Sequence, residues 1–155
     1  MSIIANKIAN YLSSNKLTIS SAESCTGGLL SSTLTDIPGS SKFFISGITA
    51  YHNKEKIRLL RIPPKLIKKY GAVSKEVATL MAKNCARLAK TDLAVSITGI
   101  AGPTGGSKEK PVGTVFIAVK FNNGLLCKRF FFKGNRVSIK KQTVAKALAL
   151  INSCL

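Results

Sequence analysis

The sequence predicts an α/β fold, a single three-layer α/β/α domain with a mixed β-sheet, and three observations carry that prediction. Helical and strand-type patterns alternate through the first hundred residues, as in a parallel sheet with crossover helices. The run "DLAVSIT" is apolar enough to lie at the centre of such a sheet. Two further strand-type runs then flank "NNG", which predicts an antiparallel hairpin on the same sheet. At 155 residues with 45% hydrophobic content, the chain is read as one domain over residues 1–155, large enough to bury a core and shape a site.

The elements follow in order. "SIIANKIANYLSS" sets Ile4, Ile8 and Leu12 at helical spacing. "KLTISS" reads as a strand leading into "AESCTGGLL", where helical spacing resumes at Gly28, so Glu23 to Gly27 sit at a strand-to-helix junction. "SKFFISGITAY" is β-branched and aromatic and predicts a second strand, and "HNKEKIRLL" returns to helix. Pro63 and Pro64 open a short helix ending near Gly71. Ser74 is an expected N-cap, with Val77, Leu80, Met81, Cys85 and Leu88 tracing the buried face of the next helix. After "DLAVSIT" comes "GIAGPTGGSKEKPVG", with five glycines and two prolines, and then the hairpin strands "TVFIAVKF" and "LLCKRFFFK". A final helix over 136–153 places Val137, Val144, Ala147, Leu148 and Ile151 on one side.

Composition narrows the function classes. The net charge is +18, from 24 Lys and Arg against six Asp and Glu, so phosphorylated ligands and nucleic acid are attracted. The lysines are spread along the chain, however, and stacking aromatics are few, which leaves nucleic-acid binding a minor expectation. Four scattered cysteines and one histidine argue against a disulfide framework or a zinc site, and a carboxylate cage for a metal is equally unsupported. No apolar run is long enough to span a membrane and no signal segment is evident, so a cytoplasmic protein is expected.

The junction at Glu23–Gly28 presents backbone N–H groups at a helix start, suited to a phosphate or to the oxyanion of acyl transfer. Ser24 is a candidate nucleophile if a base lies within reach. His52 is one candidate base; Lys56 is the other, provided burial lowers its pKa. Cys25 reads either as a thiolate at a helix start or as a small buried residue. The glycine-rich run matches neither a Walker loop nor a dinucleotide fingerprint, and a ligand-approach loop at a strand's carboxyl end competes with a plain turn.

Taken together, "AESCTGGLL", "GSSKFFISGITAYHNKEK", "GAVSKEVA", "SITGIAGPTGGSKEKPVGTVFIA" and "GNR" resemble the C-terminal domain of the CinA family in its stand-alone form, in the family's order and spacing from about Ile19 to Leu150. The resemblance implies hydrolysis of the carboxamide of nicotinamide mononucleotide to nicotinate mononucleotide and ammonia, in pyridine-nucleotide salvage, with no cofactor and no metal. It assigns Ser24 as nucleophile and Lys56 as base. It assigns substrate contacts to Thr26, Gly27, Tyr51, Asn53, Thr98, Gly99, Gly102, Gly106 and Arg136, with the oxyanion held by N–H groups around Thr26 and Gly27. Relatives often carry Asp where this chain has Asn135, next to Arg136. A homodimer or higher homo-oligomer is the expected assembly. The alternatives are a catalytically weak nucleotide-binding protein and a competence- or damage-associated nucleic-acid-binding factor.

Overall fold

The structure, a computed structural model, describes residues 2–122 and 124–155. The elements are α1 (Ser2–Ser14), β1 (Ile19–Glu23), α2 (Leu29–Thr35), β2 (Phe44–Thr49), α3 (Asn53–Leu60), α4 (Pro64–Tyr70), α5 (Lys75–Ala89), β3 (Leu93–Gly99), β4 (Thr114–Phe121), β5 (Gly124–Phe131) and α6 (Arg136–Asn152). They form one five-stranded sheet in the order β2-β1-β3-β4-β5. The first three strands are parallel, and β4 and β5 join antiparallel, so the sheet is mixed as expected, with β3 at its centre.

Two layers of helices sandwich it. Side chains of α1, α2 and α6 pack with Ile19, Val95, Ile97, Val115 and Ile117 on one face. On the other, α5 lays Val77, Met81 and Cys85 against Ala22 and Ala94, and Ala78 and Ala82 against Ala118. Small residues on both sides of that second interface let helix and sheet approach closely.

Two readings of helical faces change. Leu88 and Val137 are exposed. Both sit at the edge of their apolar stripe, and the interface is completed by Ala82 and Ala86 on α5 and by Ile139 on α6. The first strand also lies later than "KLTISS", because Ser20, Ser21 and Glu23 are fully buried and each is satisfied inside the fold. Ser20 Oγ meets Thr91 Oγ1 at 2.8 Å, and Ser21 Oγ meets Ser31 Oγ at 2.8 Å. In the hairpin, Phe121 pairs with Gly124, so Gly124 already belongs to β5 and not to the turn. Asn122 has φ +42°, and the rest of the expected Asn-Gly turn falls on Asn123, outside the described residues.

The chain leaves β1 for β2 on one side and later returns to β3 on the other. This strand order makes a topological switch point beside β1, and the crevice it opens lies at the carboxyl ends of the parallel strands. All the connections that follow β1, β2 and β3 meet there.

Candidate active site

A cavity of about 260 Å³ occupies that crevice. Its floor is Ser24, the residue after β1, and Lys56 on α3; Thr98 and Gly99 come from the end of β3. Tyr51 and Asn53 from the β2–α3 connection, Gly102 from the glycine-rich loop and Arg136 from the start of α6 form its rim, and Ala72 and Val73 close the side facing α4.

Lys56 Nζ lies 2.9 Å from Ser24 Oγ and donates to the Tyr51 carbonyl at 3.3 Å. Lys56 is 2% exposed, and no carboxylate is among its partners. Burial therefore pushes its amine below the ordinary lysine range, with Cys25 acting in the opposite sense. Lys56 donates to Ser24 Oγ here, so the site pairs a serine hydroxyl with an amine that burial makes easier to deprotonate.

His52 does not take part. It is exposed and caps α3, its Nδ1 accepting from the Lys54 N–H at 3.1 Å. Cys25 lines the cavity beside Ser24, but burial pushes its thiol up to about 12, so it stays protonated and packs with the core.

The turn after β1 departs from expectation in one respect. Glu23, fully buried, accepts from the N–H of Gly28 (3.2 Å) and Leu30 (3.0 Å) through Oε2, and from the N–H (2.8 Å) and hydroxyl (2.6 Å) of Ser31 through Oε1. The Leu29 N–H goes to the Thr26 carbonyl at 3.4 Å. The donors at the start of α2 are thus taken by the protein itself, leaving none for a substrate phosphate. Gly27, at φ +63°, turns its N–H onto the Ser24 carbonyl at 3.0 Å. Among the described residues the N–H groups of Cys25 and Thr26 have no recorded acceptor, and of the two only Cys25 lines the cavity.

Ser24, Lys56, Tyr51, Asn53, Thr98, Gly99, Gly102 and Arg136 all line the cavity; Thr26, Gly27 and Gly106 do not. The Thr26 side chain is fully buried with its hydroxyl unpartnered. Gly27 faces α6, where a Cβ would lie 3.7 Å from Lys140 Nζ. Gly106 closes the loop on itself: a Cβ there would stand 2.7 Å from the Val112 nitrogen. Thr98 lines the wall, but its hydroxyl is bound to the Ala72 carbonyl at 2.8 Å, so it fixes the α4–α5 connection. Ala72 and Val73, within "GAVSKEVA", received no role from the sequence; their place in that motif was the available signal.

Arg136 spans the rim. It donates through Nη1 to the Gly102 carbonyl at 2.7 Å and through Nη2 to the Tyr51 hydroxyl, so its charge has no carboxylate partner. Asn135 caps α6 by accepting from the Ser138 N–H at 2.9 Å, the service an aspartate would perform, and Arg136 keeps its place at the first helical position. Among the described residues the only side-chain ion pair is Arg58–Glu55, on the solvent side of α3.

The family model of the CinA C-terminal domain matches residues 1–155. The chain is 47% identical over 141 residues to a CinA-like protein of Geotalea uraniireducens, covering 91% of this chain and 34% of that relative. It is 45% identical over 143 residues to a putative competence-damage inducible protein of Acetivibrio thermocellus, covering 92% and 35%. The chain thus spans about a third of the length of the curated relatives it matches. Among solved structures, the competence/damage inducible protein CihA of Agrobacterium tumefaciens superposes with a TM-score of 0.96 at 37% identity, over 99% of this chain and 94% of that one. A CinA superfamily protein of Klebsiella pneumoniae gives 0.94 at 28% identity, over 98% and 95%.

Proposed function

The chain belongs to the CinA C-terminal domain family, and from that membership and its site we propose that it is a nicotinamide-nucleotide amidohydrolase. The observation that carries the reading is the 2.9 Å contact between Ser24 Oγ and the buried Lys56 amine at the floor of an open cavity.

In acylation, neutral Lys56 takes the Ser24 proton as the serine oxygen attacks the carboxamide carbon of nicotinamide mononucleotide. The Cys25 N–H, next to Ser24 on the cavity wall, is the proposed donor to the oxyanion that develops. The C–N bond then breaks, and the Lys56 ammonium gives its proton to the departing nitrogen, releasing ammonia. In deacylation Lys56 takes a proton from water as the hydroxide attacks the nicotinoyl ester, then returns that proton to the departing Ser24 oxygen, and nicotinate mononucleotide leaves with serine and neutral amine restored. Arg136, unpaired at the rim, is the proposed phosphate partner.

The test is direct. Purified protein and nicotinamide mononucleotide should yield ammonia and nicotinate mononucleotide in equal amounts, and Ser24→Ala and Lys56→Ala should yield neither. Binding without ammonia release would leave a nucleotide-binding protein in its place. We further propose a homodimer, to be checked by light scattering at several protein concentrations.

A second reading, association with nucleic acid, rests on the +18 charge. Phosphate-driven binding should weaken steeply with rising salt and should not depend on Ser24.

A further inference from the structure

We propose that Glu23 is a positioning residue for catalysis: its buried carboxylate locks the start of α2 so that the turn after β1 holds Ser24 and the Cys25 N–H in reactive register. The inference rests on the amidohydrolase reading for its substrate, but not for its geometry.

Glu23 is the last residue of β1 and Ser24 follows it directly, its N–H bound to the Ile97 carbonyl of β3 at 3.0 Å. Any shift of the Glu23 carboxylate therefore acts on the turn that carries the nucleophile. The carboxylate lies opposite four donors, and all four belong to the residues that close the turn. Ser31 is held in turn by Ser21 on β1, so the clamp is fastened to the strand at two points. With Gly28, Leu30 and Ser31 committed to Glu23, and Gly27 to Ser24, the unused donors of the turn are those of Cys25 and Thr26. Without the clamp, the Gly28, Leu30 and Ser31 amides would lose their acceptor and the turn that carries Ser24 would be free to shift.

The side chain does not touch the cavity, so substrate binding should be nearly independent of it. Glu23→Gln keeps the shape but sets amide hydrogens against backbone N–H donors. A displacement of about 1 Å at a nucleophile costs up to about a hundredfold in rate. We therefore expect kcat for nicotinamide mononucleotide to fall at least about thirtyfold, with KM within about threefold of the parent.

A fluorophosphonate probe gives a readout that needs no amide substrate. Ser24 Oγ bonds to phosphorus, fluoride leaves, the serine proton passes to Lys56, and the phosphoryl oxygen occupies the oxyanion position. Its labelling rate at Ser24 should fall in parallel with kcat in Glu23→Gln that is folded by circular dichroism. Loss of kcat with unchanged labelling, an equal rise in KM, or wild-type kcat in the folded variant overturns the proposal. If Glu23→Gln does not fold, Ser31→Ala decides: a severalfold lower labelling rate supports the clamp, and an unchanged rate overturns it. A parent chain that labels at Ser24 but does not turn over the nucleotide sinks the substrate assignment alone, and the variants are then judged by labelling. A parent that fails to label at Ser24 overturns both.

Discussion

At the floor of the cavity a lysine is 2% exposed, with only a serine hydroxyl and a carbonyl as polar partners; at the rim, Arg136 stands partly in water between a phenol and a carbonyl. Both cations lack a carboxylate, and the consequences are opposite. At Lys56 desolvation disfavours the charge and makes the proposed role of base easier to fill. A guanidinium cannot lose its proton, so at Arg136 the same lack of a counter-ion leaves a standing attraction for an anion. In the proposed reading, depth and not residue sign divides chemistry from binding in one very basic protein.

The sharpest way to break this contrast is to remove the floor. Ser24→Ala or Lys56→Met should lower kcat/KM by about three orders of magnitude or more, and the double variant should lose little beyond either single one, because the pair acts as a unit. Lys56→Met should also raise the melting temperature by a few degrees, on the order of 1 kcal/mol, since an amine that burial disfavours is replaced by an apolar chain of similar length. A melting temperature that falls in Lys56→Met would mean that the lysine holds the fold together, and the contrast with Arg136 would fail.

The acidic limb of the rate profile sharpens the same point. Below its folded-state pKa, Lys56 is charged and cannot accept the Ser24 proton, so kcat/KM should fall about tenfold per pH unit on the acid side. Because burial places that pKa below the ordinary lysine value, the limb should lie below that of an exposed lysine. Stability follows the sign of the shift. The unfolded chain holds this proton more tightly, so the Lys56 contribution disfavours folding below the folded pKa and fades as pH rises toward the unfolded value. An acid limb that survives in Lys56→Arg, with measurable turnover, would assign it to another group.

At the rim the expected effect is smaller and of a different kind. Arg136→Ala should raise KM about ten- to a hundredfold with kcat nearly unchanged, the signature of lost uniform binding. Arg136→Lys should recover only part of it, because the fork that reaches Gly102 and Tyr51 together is lost. A fall in kcat with constant KM would move Arg136 from the rim to the chemistry.

The sequence made the floor easier to read than the turn beneath it. Ser24 and Lys56 were legible because each sits in a short motif that follows a strand, Ser24 directly after β1 and Lys56 in the first turn of α3 after β2. The three-layer fold and the central place of β3 were legible because the apolar run "DLAVSIT" has no other home. Which N–H groups stay open to an oxyanion was not legible. Gly27 is bound by a carbonyl three residues back and Gly28 by an acid five residues back, in a pattern unlike a capping box. Periodicity likewise misplaced Leu88 and Val137, since an apolar side chain at the edge of a stripe has no sequence mark of its exposure. The polar residues of β1 hid the end of that strand for a related reason: Ser20, Ser21 and Glu23 each find a partner that only the folded chain supplies.

The smallest effect is expected next door to the largest. Cys25 follows Ser24 on the same turn, lines the same cavity and is the stronger nucleophile by element, yet its thiol is held at about 12 and stays neutral at every pH where the protein would work. The coulombic influence of Lys56 lowers that value, but desolvation outweighs it. Cys25→Ala should therefore keep kcat/KM within about threefold, while the lost sulfur costs on the order of 1 kcal/mol and lowers the melting temperature by a few degrees. Iodoacetamide at pH 8 should leave activity intact for the same reason. If alkylation of Cys25 proceeded at the rate of a free thiol, the floor would be wetter than its 6% exposure at this residue implies. The desolvation that makes Lys56 a base would then be lost with it.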